Sequence, residues 1–319
     1  MNNKTLEICI PVFNEEEVIE NFFYDLLKWI DKVELKNKFK KIMIRFLNNG
    51  STDKSLTILK KLKQKFKILE ITSLKKNYGF YTSTSYLIYS SKADFVILMP
   101  SDYQIPFLSV QEALEKTILT GNSSFLVRNK SKGSSKFVLS FKKIFYKILK
   151  TISYDSIDGY FGMGVYTSKS LSVIKNYPYS PFQLRLVIPY INDNYNLIKF
   201  NELKRKAGKT SFGLTKYIIE SFKLIISSQK LPTYLSIALL SFFSLITMSF
   251  LPLIVFIKFL APTLFYPGFA TLIILFFLMM SLQSIFALVI LLEIKSRDGI
   301  AGLSIIRRKR PIVIENNFK

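Results

Sequence analysis

Four short polar segments hold most of the side chains able to grip a charged ligand. Residues 11–17 carry Glu15 and Glu16, residues 48–53 carry Asn48, Asn49 and Asp53, residues 75–79 carry Asn77, and residues 100–106 carry Asp102 and Gln104. The chain has no histidine and one cysteine, Cys9, which excludes histidine bases, histidine metal ligands, Cys-rich zinc sites and an internal disulfide. Chemistry must therefore run on carboxylates, amides, hydroxyls, lysine and arginine. Asp102 and Gln104 offer hard side-chain oxygens. Arg205 and Lys206 offer the opposite charge, suited to phosphate oxygens.

The elements between these segments alternate in period. Residues 6–12, 41–47, 68–73 and 94–99 read as strands, and residues 15–32, 55–65 and 81–91 as helices. Alternation at this spacing predicts a parallel sheet with helical crossovers, in which ligands bind beyond the carboxyl ends of the strands. Each of the four polar segments follows one of these predicted strands.

Taken in order, the segments carry a resemblance. Pro11-Val12-Phe13-Asn14-Glu15-Glu16 resembles the P-x-[YF]-N-E-E opening of family 2 glycosyltransferases of the GT-A fold. Asn49-Gly50-Ser51-Thr52-Asp53 stands where that family has D-D-G-S-T-D, Asn77-Tyr78-Gly79 where it has N-x-G, and Asp102-Tyr103-Gln104 where it has the end of D-x-D-x-Q. Residues 204–212 are similar to the R-x-A-G-x-[ST]-K-[YW] segment of polyprenyl-phosphate sugar transferases, and Arg310-Pro311-Ile312-Val313 to their R-P-x-[YV] ending.

The resemblance implies a nucleotide-diphospho-sugar donor, with Pro11, Phe13, Glu15, Asn48, Asn49, Asp102 and Gln104 around it. It also implies Mg2+ or Mn2+ on Asp102 and Gln104, and leaving-group charge met by Arg205. The acceptor it implies is a lipid phosphate, with Arg128, Lys142, Lys143 and Arg205 gathered about it. Such a phosphate is already ionised near neutral pH, which suits a chain without histidine. Asp155 resembles part of an acidic region lining the sugar site, where it would orient sugar or acceptor; a plain turn reads the same residues equally well. The sequence departs from the pattern at Asn48 and Asn49, at Pro100 in place of the first D-x-D carboxylate, at Gly162, and at Ser211 in place of a lysine.

The C-terminal third is of another composition. Residues 234–260 and 268–292 are each long enough to cross a bilayer, and the second holds no charge. The connection between them is short and carries Pro262 and Pro267, predicting a hairpin. Basic residues gather before and after the pair, with only Lys258 near the turn, so the positive-inside rule puts both flanks in the cytoplasm. The net charge is +23, and the residues before 231 contribute +18 of it, from 37 basic and 19 acidic side chains. Residues 128–153 alone hold eight basic residues and no acidic one, with Phe137, Phe141, Ile144 and Ile148 at helical spacing. This is an amphipathic helix packed on the sheet or one lying on the membrane surface; residues 214–230 repeat the theme. Anionic headgroups and phosphate-bearing substrates, or a solvated basic face, account for the charge, and no nucleic-acid motif is present.

These readings give a GT-A-like α/β, Rossmann-like domain over residues 1–230, two transmembrane helices over 231–293 and a basic cytoplasmic tail over 294–319. They place the protein in the cytoplasmic membrane with both termini inside, and leave a homo-oligomer open. The expected activity is sugar transfer to a polyprenyl phosphate. The rivals are a family 2 transferase with a different acceptor, and a catalytically silent relative that binds nucleotide or lipid.

Overall fold

The computed structural model describes residues 3–129, 159–176, 184, 194–204, 230–261, 268–301 and 313–316. Two compact units divide the chain, one of residues 1–217 with 305–319 and one of residues 218–304.

The first unit is built on β1 (Thr5–Val12), β2 (Lys41–Asn48), β3 (Leu69–Leu74) and β4 (Phe95–Leu98), all parallel, with β1 between β2 and β4. Strands β1 to β3 advance across the sheet in one direction, and the chain then crosses back to place β4 on the other side of β1. Right-handed crossovers put α1 (Ile19–Lys32) and α3 (Ser55–Lys65) on one face and α4 (Phe80–Ser90) on the other. Covered on both faces, β1 is apolar at almost every position, and Leu6, Ile8, Cys9, Ile10 and Val12 are all buried. A short helix, α2 (Leu35–Lys38), precedes β2.

Much of the buried polarity in this core is paired. The Arg45 guanidinium meets the Glu7 carboxylate between β2 and β1, and its other nitrogen donates to Ser90 Oγ at 2.9 Å. Ser91 donates to the same carboxylate, tying the end of α4 to the sheet. Burial pushes the Glu7 carboxyl above its usual range, and Arg45 opposes the shift. At the start of β4, Asp94 accepts the Thr5 N–H at 2.9 Å, the Thr5 hydroxyl at 2.9 Å and Lys4 Nζ at 3.2 Å, pinning β4 to β1.

The sheet continues past the sequence-predicted strands. After α5 (Phe107–Thr120) come β5 (Ser124–Arg128), β6 (Tyr160–Thr167), α6 (Ser168–Asn176) and β7 (Asn196–Phe200). The eight-stranded order is β7-β5-β6-β4-β1-β2-β3-β8. Here β6 is antiparallel to both β4 and β5, while β7 runs parallel to β5. The last strand, β8 (Val313–Asn316), falls in the stretch expected as tail and pairs antiparallel with β3, Val313 opposite Leu74.

One expected boundary is corrected. The helix anticipated from Glu15 begins at Ile19, because Glu15 and Glu16 give their N–H groups to Ser55 Oγ at 2.9 Å and Asp53 Oδ2 at 3.0 Å. Those contacts keep residues 13–16 in a loop braced against the next one.

The second unit contains α7 (Lys230–Leu260) and α8 (Phe269–Ala301), which pack side by side with Phe250 stacked on Phe277 at 6.4 Å. Their outward side chains are apolar: Phe242, Leu245, Phe256, Leu272, Phe276 and Phe286 are all exposed. Among the described residues one stretch, Thr271–Ile290, is long and apolar enough to cross a membrane, with mean hydropathy 2.6; Ile237–Ile246 in α7 is a shorter apolar run.

Candidate active site

Neighbouring strands β1 and β4 send their connections in opposite directions, and such a switch point leaves a crevice beyond their carboxyl ends. The backbone marks where the strands part. Met99 N–H still donates to the Cys9 carbonyl at 3.2 Å, and the ladder between them reaches no further than Cys9 and Leu98. Pro11, two residues on, faces the side that β4 has left, so its missing N–H costs no ladder bond there. On the other side β1 stays joined to β2 through Val12 opposite Asn48, and the Asn49 N–H donates to the Val12 carbonyl at 2.8 Å.

The loops after β1, β2 and β3 are stitched together by amides. Asn14, in the left-handed conformation at φ 54°, accepts the Thr52 N–H on its side-chain oxygen at 2.9 Å and donates to Thr52 Oγ1 at 3.2 Å. Asn48 is buried, donates to Ser73 Oγ at 2.9 Å and accepts the Ser51 N–H at 3.1 Å. Asn49, also buried, donates to Asn77 Oδ1 at 3.0 Å and accepts the Tyr78 N–H at 3.0 Å. Because a backbone N–H fixes which amide atom is oxygen, the orientation of Asn49 follows from the network. Gly50 takes φ 65°, and a Cβ there would lie 2.4 Å from the Lys76 carbonyl carbon, so the second and third loops touch backbone to side-chain-free backbone.

Asp102 lies on the β4 side of the crevice and is 8% exposed. Its Oδ1 accepts the Gln104 N–H at 3.0 Å, closing a turn around Tyr103. Tyr103 sits at φ 61°, a conformation that costs a bulky residue on the order of 1–3 kcal/mol. Its hydroxyl donates to Asp25 Oδ2 at 2.8 Å, and burial, followed by that carboxylate, pushes the phenol above its usual range. The Gln104 carbonyl accepts the Leu203 N–H at 3.0 Å, which brings the chain leaving β7 against this turn.

Of the sequence-derived site residues, Pro11, Phe13, Glu15, Asn48, Asn49, Asp102 and Gln104 fall on the adjacent carboxyl ends of β1, β2 and β4. Asn48 and Asn49 use both ends of their amides to brace the loops. Arg128, at the end of β5, pairs with Glu202 at 3.1 Å, two residues past β7. Arg205, Asp155, Lys142 and Lys143 lie outside the described residues, as do the amphipathic segment around 137–148 and residues 214–229 of the second one. Sequence reasoning gave no role to Asn14, Asn77, Tyr103 or Asp25. Asn14 and Asn77 lay inside the quoted motifs; the pairing of Tyr103 with Asp25 spans 78 residues and has no local signal.

Two further observations bound the chemistry. Cys9 is fully buried and burial pushes its thiol well up, so it is not a nucleophile. Among the described residues no three His, Cys, Asp or Glu side chains cluster to hold a metal. Asp102 and the Gln104 amide, with Pro100 where a second carboxylate would stand, fit a cation that draws the rest of its shell from phosphate oxygens and water.

An α/β domain with amide-braced loops and carboxylates, Glu15 and Asp102 among them, at a sheet switch point belongs to the class that binds a polar ligand across parallel strand ends. Residues 7–174, more than half of the chain, match the glycosyl transferase family 2 model, and the chain belongs to that family. It is similar to the uncharacterized glycosyltransferase YkoT of Bacillus subtilis (strain 168), 25% identical over 246 residues that cover 76% of this chain and 70% of the relative. It is also similar to the prophage bactoprenol glucosyl transferase homolog of Escherichia coli (strain K12), 23% identical over 210 residues covering 65% and 66%. Among solved structures, glucosyl-3-phosphoglycerate synthase from Mycobacterium tuberculosis, in complex with Mn2+, UDP and glucosyl-3-phosphoglycerate, matches with TM-score 0.47 at 14% identity, covering 70% of this chain and 77% of that one.

Proposed function

We propose that this family 2 glycosyltransferase moves a sugar from a nucleotide diphosphate donor to a polyprenyl phosphate at the cytoplasmic face of a membrane. The observation that carries the reading is the Leu203–Gln104 hydrogen bond of 3.0 Å. It holds the chain leaving β7 against the turn that bears Asp102, and Arg205 follows Leu203 by two residues in the sequence.

In this reading the base and ribose lie along Pro11, Phe13 and Glu15, and the diphosphate lies in the crevice beside Asp102. The Asn48 and Asn49 amides keep the loop walls in place. Mg2+ or Mn2+ on Asp102 and Gln104 would neutralise charge on the diphosphate. Arg205 and Lys206 stabilise the nucleoside diphosphate as it leaves. A phosphate oxygen of the acceptor attacks the anomeric carbon, the bond from that carbon to the diphosphate oxygen breaks, and the configuration inverts. The nucleophile is already an anion, so no general base is required.

Topology and the relatives support this acceptor. Strands β1 to β5 and β7 end at the same edge of the sheet, and β6 and β8 begin there. The chain therefore leaves the sheet after β7 and re-enters it at β8 on the same edge. Since both connections belong to one folded unit, the chain between them crosses a membrane an even number of times. If Thr271–Ile290 spans, α7 spans too, about 46 Å long at 1.5 Å per residue. The outward apolar side chains of both helices agree with lipid contact. The bactoprenol glucosyl transferase homolog supports a lipid phosphate as acceptor.

The test is transfer by the purified full chain in detergent, with radiolabelled UDP-glucose, UDP-N-acetylglucosamine and GDP-mannose, undecaprenyl phosphate and Mg2+ or Mn2+. Label that becomes extractable into butanol only when the lipid is present is the expected result. Label released or transferred without the lipid overturns the acceptor assignment.

A further inference from the structure

We propose that Asp25 is a positioning residue which, through Tyr103, holds the turn of residues 102–104 in the shape that receives the donor diphosphate; this rests on the donor-site reading above. The turn's central residue is a tyrosine at φ 61°, where glycine or asparagine is the ordinary occupant, and the Gln104 N–H donating to Asp102 Oδ1 at 3.0 Å closes it from within.

The restraint comes from α1. The Tyr103 ring stands edge-on to Phe22 with centroids 5.3 Å apart and interplanar angle 80°, and its hydroxyl reaches Asp25 Oδ2 at 2.8 Å. Phe22 and Asp25 are three residues apart and share one face of the helix. One contact fixes the ring plane and the other its far end, so the backbone of Tyr103 is held in the left-handed region from below. With Tyr103 turned this way its ring packs on α1, and Asp102 and Gln104 flank it in the turn after β4. Helix α1 follows the loop of Phe13 and Glu15, so Asp25 links the two sides of the switch point.

The surroundings make the link separable from the core. Asp25 lines an open groove of about 590 Å³ with Glu17, Asn21, Tyr24, Lys28 and Tyr103. Its side chain is 37% exposed and also meets Lys28 at 3.3 Å. Removing its carboxylate admits water and leaves no apolar cavity, so the effect on folding is small while the turn loses its anchor.

The experiment compares the full chain in detergent with Y103F, D25A and D25N. Calorimetry gives the Kd of UDP and GDP with Mg2+, and of UMP and GMP as probes lacking the second phosphate. For whichever diphosphate the parent binds, Y103F and D25A raise Kd about tenfold, equivalent to about 1.4 kcal/mol. Monophosphate affinity stays at the parent value, and D25N, which keeps an acceptor, binds like the parent. Parent-like diphosphate affinity in Y103F and D25A overturns the proposal, as does an equal loss for mono- and diphosphates, which a purely structural role would give. If the parent binds neither UDP nor GDP, the donor-site reading itself falls and this inference with it.

Discussion

Asn49 donates its side-chain N–H to Asn77 Oδ1 at 3.0 Å, and this contact helps join the loops that follow β2 and β3. Asn77 Oδ1 also accepts the Gly79 N–H at 2.8 Å, and Asn49 Oδ1 accepts the Tyr78 N–H at 3.0 Å, so the two amides are locked in one orientation by backbone donors. A carboxylate at position 49 can keep the bond from Tyr78 but has no hydrogen to give Asn77. The departure of this chain from the acidic family pattern thus has a physical counterpart: the amide is needed as donor and acceptor at once.

Asn49→Asp is therefore expected to destabilise the α/β unit by about 1 kcal/mol, the ordinary net worth of one lost hydrogen bond. Asn49→Ala, which strands the Tyr78 N–H as well, should cost more than Asn49→Asp. Urea unfolding followed by the fluorescence of Trp29, the chain's one tryptophan, measures both. Equal stability of parent and Asn49→Asp would remove the bracing role.

Gly50→Ala tests the same seam by sterics. The positive φ is unfavourable for alanine, and the added methyl meets the Lys76 and Asn77 backbone at 2.4–2.7 Å. A loss of about 1–3 kcal/mol is expected, the range for forcing atoms into a packed region. Gly79→Ala is the control, since no atom lies within 4 Å of its Cβ position and only the backbone penalty at φ 91° applies. The expected order of stability is parent, Gly79→Ala, Gly50→Ala.

Stability should fall in acid through Asp94. The Thr5 N–H, together with the Thr5 hydroxyl and Lys4, holds this carboxyl below its usual range. A depressed carboxyl contributes stability that is present above its unfolded pKa of about 4 and is lost as pH falls through the lower folded value. Asp94→Asn removes that contribution at every pH. The stability gap between parent and variant, measured by urea unfolding, should be widest above pH 5 and close as the pH approaches 3. A gap that stays constant, or widens in acid, contradicts the assignment.

Much of the α/β core was legible because each predicted strand is a short apolar run followed by a polar segment, and Ser55–Lys65 was bounded correctly at both ends. The start of α1 was not, because helical periodicity at Glu15 says nothing about Ser55 and Asp53, which claim the Glu15 and Glu16 N–H groups from the next loop. Strand β8 was hidden for a related reason. Val313 to Asn316 is four residues long, and its partner Leu74 lies more than two hundred residues earlier, so pairing rather than local pattern defines it. At the site, the residue types of the motifs were readable in advance. That Asn48 and Asn49 spend both amide ends on neighbouring loops, and that Tyr103 is held from α1, are properties of the assembled fold.

In the proposed reaction Asp102 is the carboxylate that meets the donor, since Pro100 offers none. The direct measurement is nucleoside diphosphate released per enzyme by parent and Asp102→Ala, side by side, with undecaprenyl phosphate, Mg2+ or Mn2+, and the sugar donor that the parent uses. The expected result is steady, lipid-dependent release by the parent and a fall of at least about 10²-fold in the variant, the size seen when one transition-state contact is removed. Equal release by the two proteins, or none from the parent with any UDP- or GDP-sugar, would contradict it.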